Sequence, residues 1–194
     1  MDAEVTHRSA IEAIWEEHLR VASALWPLAS DVDRVVTVIA RSMAAGGALL
    51  ACGNGGSAAD AQHIAAELTG RFLRDRKPLR ALALHGNTSS LTAIGNDYGF
   101  EMIFSRQVEA LGTTGDVLVA ISTSGASKNI LAAIAAAKKK KMRVVVLTGE
   151  KGKALRRKVD VAIVVPSKET ARIQEMHEVT FHAWCEYIDS HFSA

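Results

Sequence analysis

The chain has 194 residues, with 23 Lys or Arg against 21 Asp or Glu and a formal net charge of +2. That length suits one domain with a sizeable core and room for a helical extension, and so even a charge balance supplies no field for a dedicated nucleic-acid binder. The first residues lack the basic-then-apolar pattern of a secretory signal, and no apolar run approaches the ~18 residues of a membrane span. A cytoplasmic protein with no membrane partner is expected.

Residues 1–45 carry apolar side chains at helical spacing. Ile11, Ile14, Trp15, Leu19, Ala22 and Leu25 form one set, and Val32, Val35, Val36, Ile39 and Met43 resume it after Pro27. Two helices are predicted. The first lies outside any sheet crossover, so its apolar face needs another subunit to cover it. Residues 1–30 therefore read as an N-terminal helical extension used in oligomerisation.

From residue 48 the rhythm changes to short apolar runs: ALLACG (48–53), LRALAL (79–84), DVLVAIS (116–122), RVVVLT (143–148) and DVAIVV (160–165). Helix-like stretches at 57–70, 88–95, 101–111 and 127–141 lie between them, which is the βαβ repeat. Near-continuous apolar strands belong to a parallel sheet covered on both faces. The predicted architecture is α/β, a three-layer α/β/α sandwich with a five-stranded parallel sheet, closed by a long helix over about 170–191. Cys52 and Cys185 fall in such apolar runs, where a thiol acts as a small buried hydrophobe rather than half of a disulfide. The cations Lys138 to Lys141 end a helix, where they suit its dipole.

In open α/β sheets ligands sit beyond the carboxyl ends of the strands. Two loops there are rich in small residues and hydroxyls: Gly53-Asn54-Gly55-Gly56-Ser57 after the first run, and Ser122-Thr123-Ser124-Gly125-Ala126-Ser127 after the third. Each opens a helix whose free N–H groups and positive dipole end favour an anion. Neither is a Walker A loop and neither has the dinucleotide glycine spacing, so a nucleotide cofactor is not indicated. Ser57 and Ser127 could instead be plain helix caps.

His63 and Glu67, four residues apart on the helix after the first loop, share a face and could share a cation such as zinc. The last helix offers Gln174, Glu175, His177, Glu178 and His182. Gln174 and His182 are separated by about 12 Å of helix and about 80° of rotation, so both reach one ion only if their side chains lean together. His177 points well away from His182.

The segments CGNGGSAADAQHIAAELTGRF, LTAIGNDYGFEMIFSRQVEALG, GDVLVAISTSGASKNIL and ARIQEMHEVTFH together resemble the phosphoheptose isomerases of the sugar isomerase (SIS) fold, in the right order from about residue 30 to the C-terminus. The resemblance implies a single SIS domain over 1–194 and a homotetramer with its sites near subunit interfaces. It implies conversion of sedoheptulose 7-phosphate to D-glycero-D-manno-heptose 7-phosphate on the route to ADP-heptose and lipopolysaccharide. One zinc ion per subunit would sit on His63, Glu67, Gln174 and His182. Ser122, Thr123, Ser124 and Ser127 would take the phosphate, and Asn54, Gly55, Gly56, Asn96 and Asp97 the sugar, with Ser57 and Arg71 as further contacts. Glu67 and His182 would exchange protons with the substrate through an enediol-like intermediate. Two other readings keep the fold and loops: a non-catalytic SIS protein that binds the bacterial replication initiator, and a sugar-phosphate-binding regulatory module. The initiator-binding relative lacks the acid-base pair that Glu67 and His182 provide here, and a regulatory module would tolerate its loss.

Overall fold

The computed structural model describes residues 7–193. Helix α1 (His7–Ser23) is followed by a 3-10 turn at Trp26–Leu28 that contains Pro27, and α2 (Ala29–Ala44) starts directly after it. Strand β1 (Leu49–Cys52), helix α3 (Gly56–Thr69), strand β2 (Ala81–Ala83) and helix α4 (Thr88–Tyr98) come next. Then follow α5 (Ser105–Leu111), β3 (Val117–Ser122), α6 (Lys128–Lys139), β4 (Arg143–Gly149), β5 (Val161–Val165) and α7 (Thr170–Phe192). All strand pairs are parallel, in the order β2-β1-β3-β4-β5. The predicted three-layer sandwich is the one formed.

Alternation along the strands divides the core in two. Leu49, Ala51, Val117, Val119, Ile121, Val145 and Leu147 face α2, α3 and α7, where Phe181, Trp184 and Ile188 pack. Leu50, Cys52, Leu118, Ala120, Val144 and Val146 face the other way, toward Phe104, Val108, Ile130 and Ala133 of α5, α6 and their approaches. Cys52 and Cys185 are both free and buried, as expected; burial pushes the Cys52 thiol up to about 12.

Two expectations needed adjustment, and one element was not anticipated. The stretch 101–111 is not one helix: a 3-10 turn at Phe100–Met102 precedes α5, because Ile103 and Phe104 are drawn into the core at the junction. The second apolar run yields only a three-residue strand, with Leu82 exposed, since β2 lies at the edge of the sheet. A 3-10 helix at Glu150–Arg157, too polar to announce itself, follows β4 and buries only Gly152 and Leu155.

Helix α1 buries Val21 alone, against α7. Ile11, Ile14, Trp15 and Leu19 stay exposed, Trp15 at 64 %, and Trp26 after the helix is 80 % exposed. Residues 1–6 of the expected extension lie outside the described residues.

At the far end of α7, the buried Asp189 holds the segment after α3. Its Oδ2 accepts N–H bonds from Phe72, Leu73 and Arg74 at 3.1, 2.6 and 2.8 Å, and its Oδ1 accepts Arg76 Nε at 2.6 Å. The Arg76 side chain is fully buried and also donates to the carbonyls of Glu67, Leu68, Gly70 and Lys77. Burial alone would raise the Asp189 pKa, but the backbone N–H groups of Arg74 and Leu73 and the Arg76 guanidinium hold it below the usual carboxylate range.

Candidate active site

In the order β2-β1-β3-β4-β5 the connections turn in opposite directions from β1 and β3, and a doubly wound sheet binds its ligand in the crevice between two such strands. The two hydroxyl-bearing loops leave those strands, so the topology sets them side by side. A cavity of about 380 Å³ opens there, lined by Asn54, Gly55, Gly56, Ser57, Ile121, Ser122, Thr123, Ser127, Thr170 and Gln174. Eight of those ten were singled out in the sequence. Ile121 and Thr170 were not, and nothing local marks them.

The loops are stapled together by Asn54 and Asn129, whose amides bond reciprocally at 3.0 and 2.8 Å. Asn129 was missed because its role exists only once α6 lies beside the glycine loop. His85, after β2, braces the same loop with its Nε2 2.8 Å from the Gly53 carbonyl oxygen, and burial keeps its pKa below the ordinary value.

Neither serine is spent on capping. Helix α3 starts from Gly55, held at φ +57°, and Ser57 lies buried in the first turn. Ser127 occupies the cap position of α6 but makes no side-chain cap bond; its Oγ lies 3.2 Å from that of Ser122. The Ser122 hydroxyl also accepts from Gly125 N–H at 3.1 Å. Ser124 is turned aside, its Oγ accepting from Ala126 N–H at 3.2 Å, and it does not line the cavity.

Beside the cavity, α3 and α7 bring the titratable groups together. His63 Nε2 lies 3.1 Å from Glu67 Oε1 and 3.5 Å from His182 Nε2. Phe181 meets the His63 ring edge-on at 5.1 Å, and Phe72 covers His182 at 5.3 Å. Zinc bonds of about 2.0–2.2 Å to nitrogen and oxygen place tetrahedral ligands about 3.4 Å apart, a separation that the two contacts of His63 Nε2 come close to. His63, Glu178 and His182 also form a group able to hold a metal, their ligand atoms all within 4.8 Å of one another. Glu178 lies one turn from both Gln174 and His182 on α7, a position evident in the sequence but given no role there.

Gln174 does not join the cluster in this conformation. Its amide lies over Gly56, where an added Cβ would come within 2.6 Å of Nε2. Its side chain must swing toward His182 to complete a ligand set. Asn96 and Asp97 are exposed on α4, bonded to each other at 2.8 Å, and do not line this cavity. Arg71 is exposed too and donates to the Leu73 carbonyl at 3.2 Å.

Asp60, one turn before His63, has one carboxylate oxygen buried without a partner. Burial, and then the charge of Glu178, push its carboxyl up to about 6, against the pull of His63. His177 points away from His182, as its spacing required, and into the core; it is fully buried, and desolvation lowers it to about 4.

The SIS domain family matches residues 17–149 of this all-parallel α/β fold, a span that takes in both hydroxyl loops. Phosphoheptose isomerase 1 of Campylobacter jejuni is 50 % identical over 182 residues, covering 94 % of this chain and 98 % of that protein. The phosphoheptose isomerase of Thiobacillus denitrificans is 52 % identical over 182 residues, covering 92 % and 91 %. The solved structure of phosphoheptose isomerase GmhA from Neisseria gonorrhoeae superposes with a TM-score of 0.90 at 46 % identity, covering 95 % of this chain and all of that one. The chain belongs to the phosphoheptose isomerase family of SIS-domain proteins. No helix among the described residues is long and apolar enough to cross a membrane.

Proposed function

We propose that this protein converts sedoheptulose 7-phosphate to D-glycero-D-manno-heptose 7-phosphate in the cytoplasm, as a step toward ADP-heptose and lipopolysaccharide. The observation that carries the reading is the convergence of His63, Glu67 and His182 beside an anion pocket, in a chain about half identical to phosphoheptose isomerases.

Interconverting a 2-ketose and an aldose moves a proton between C1 and C2. Glu67 removes the carbon-bound proton, and His182 handles the second transfer at the oxygens. General acid-base groups of this kind contribute about 10² to 10⁴ in rate. When bound on His63, Glu67, His182 and a reoriented Gln174, zinc supplies a Lewis acid that polarises the carbonyl. Ser122, Thr123 and Ser127, joined by Ser124 once its hydroxyl turns inward, and the first-turn N–H groups of α6 take the phosphate and fix the sugar for reaction. Asn54, Gly55, Gly56 and Ser57 hold the sugar, with Arg71 as an outer contact.

Asn96 and Asp97 serve the site from the subunit interface of a homotetramer. The exposed Ile11, Ile14, Trp15 and Leu19 support assembly through the N-terminal extension, with residues 1–194 acting as one SIS domain. The test is an isomerase assay on sedoheptulose 7-phosphate before and after chelation. Turnover lost on chelation and restored by zinc is expected, and absence of turnover in the zinc-loaded protein refutes the assignment.

A further inference from the structure

Threonine inside a helix commonly turns its hydroxyl back on the carbonyl one turn earlier. Thr69, Thr92 and Thr180 do so here, at 2.8, 2.9 and 2.7 Å. Thr170 is the first residue of α7 and has no earlier turn of its own helix to bond. Among the described residues its hydroxyl meets no hydrogen-bond partner. It is exposed, and it lines the cavity together with Ser122, Thr123, Ser127 and Gln174.

We propose that Thr170 is a further substrate contact, whose hydroxyl donates to the phosphate group held by the serine loop. The inference rests on the sugar-phosphate reading above. The place of Thr170 along α7 decides which end of the substrate it meets. Gln174, one turn on, rests over Gly56 of the glycine loop, and His182, in the acid-base cluster, lies about 18 Å further along the helix than Thr170. Thr170 therefore stands at the end of the cavity away from the proton transfers. The serine loop lies at that end. Gly149 N–H donates to the Thr123 carbonyl at 3.0 Å, and Ile173, in the first turn of α7, packs so closely on Gly149 that an added Cβ there would lie 2.3 Å from its Cδ1. Glu169, just before Thr170, makes no side-chain cap bond, so the first-turn N–H groups of α7 stay open beside the hydroxyl.

Contact with a sugar hydroxyl is the competing role. The glycine loop that holds the sugar is faced by Gln174, one turn further along, which leaves Thr170 to the phosphate.

The test uses the full-length protein as wild type, as Thr170→Val, which keeps the shape and removes the hydroxyl, and as Thr170→Ser, which keeps the hydroxyl. Thr170→Val should raise KM for sedoheptulose 7-phosphate about 10-fold, the size of one hydrogen bond to a charged acceptor, with kcat nearly unchanged, as for a contact made equally in the ground and transition states. Calorimetric titration with inorganic phosphate should show the same loss of affinity, and Thr170→Ser should restore both. The melting temperature without ligand should be the same in all three proteins. An unchanged KM in Thr170→Val, a fall in kcat alone, or a phosphate affinity that is absent in the wild type or unchanged in Thr170→Val would each overturn the proposal, the last by assigning Thr170 to the sugar. Absence of turnover in the zinc-loaded wild type would instead sink the substrate reading, while the phosphate titration still decides the Thr170 contact.

Discussion

Replacing Asp189 with Asn should destabilise the whole domain while leaving every residue of the catalytic cluster in place. The carboxylate meets four donors on two oxygens: three backbone N–H groups on Oδ2 and Arg76 Nε on Oδ1. An amide has one oxygen, so Asn must turn an NH₂ group toward either the three backbone donors or the guanidinium. Both side chains are essentially inaccessible to solvent, at 0 % for Arg76 and 1 % for Asp189, so water cannot repair the mismatch. Breaking one partner of a buried pair costs about 3–5 kcal/mol. At about 2–4 °C per kcal/mol for a protein of this size, the melting temperature should fall by roughly 6–20 °C.

The pH dependence has a definite sign. Because the folded carboxyl is held below its unfolded value, its contribution is complete above the unfolded pKa of about 3.9 and is lost as pH falls through the folded value. Calorimetry between neutral pH and pH 3 should therefore find the wild type and Asp189→Asn converging as acid is added. A neutral-pH melting temperature within a degree of wild type would refute the reasoning.

Glu67→Gln keeps the shape of the side chain and removes the base, so kcat should drop about 10²- to 10⁴-fold; near-normal turnover would remove Glu67 from the mechanism. Ser127→Ala should raise KM for the sugar phosphate several-fold while leaving the melting temperature within a degree or so, because its hydroxyl makes no cap bond; a loss of about 1 kcal/mol, typical of a working cap, would contradict that reading. His177 is kept neutral in the fold, so stability should decline as pH falls from its unfolded value of about 6.5 toward about 4, by about 3 kcal/mol in all. His177→Gln should flatten that slope, and an identical slope in the variant would point to another group. Trp15→Glu together with Leu19→Glu should shift the sedimentation coefficient to a smaller species, and an unchanged coefficient would remove α1 from the interface.

The sheet was easy to read because strands buried on both faces must be apolar almost without a break, as VLVAIS and VVVL are. The 3-10 helix at Glu150–Arg157 was invisible for the opposite reason, since it buries a glycine and the one side chain of Leu155 and exposes a charged surface. In the site, the hydroxyl loops were legible because each is a contiguous motif that opens a helix. Asn129, Thr170 and His85 were not singled out, and Glu178, named on the last helix, was given no role, because each acquires its neighbour only when distant segments meet. Gln174 shows the remaining limit: helical spacing left it about 80° round α7 from His182, and only packing decides that its amide rests over Gly56.

The reciprocal amides of Asn54 and Asn129 give the protein a chemical shelf life. Asn54 precedes Gly55, the successor that least obstructs attack by a backbone nitrogen on a side-chain carboxamide. Loss of that amide nitrogen would leave two facing oxygens where a donor met an acceptor, and would plant a permanent negative charge in a pocket shaped for a phosphate. The bonds at 3.0 and 2.8 Å clamp the carboxamide in a fixed orientation, so the contact that closes the two loops together also guards the pocket against its own ageing.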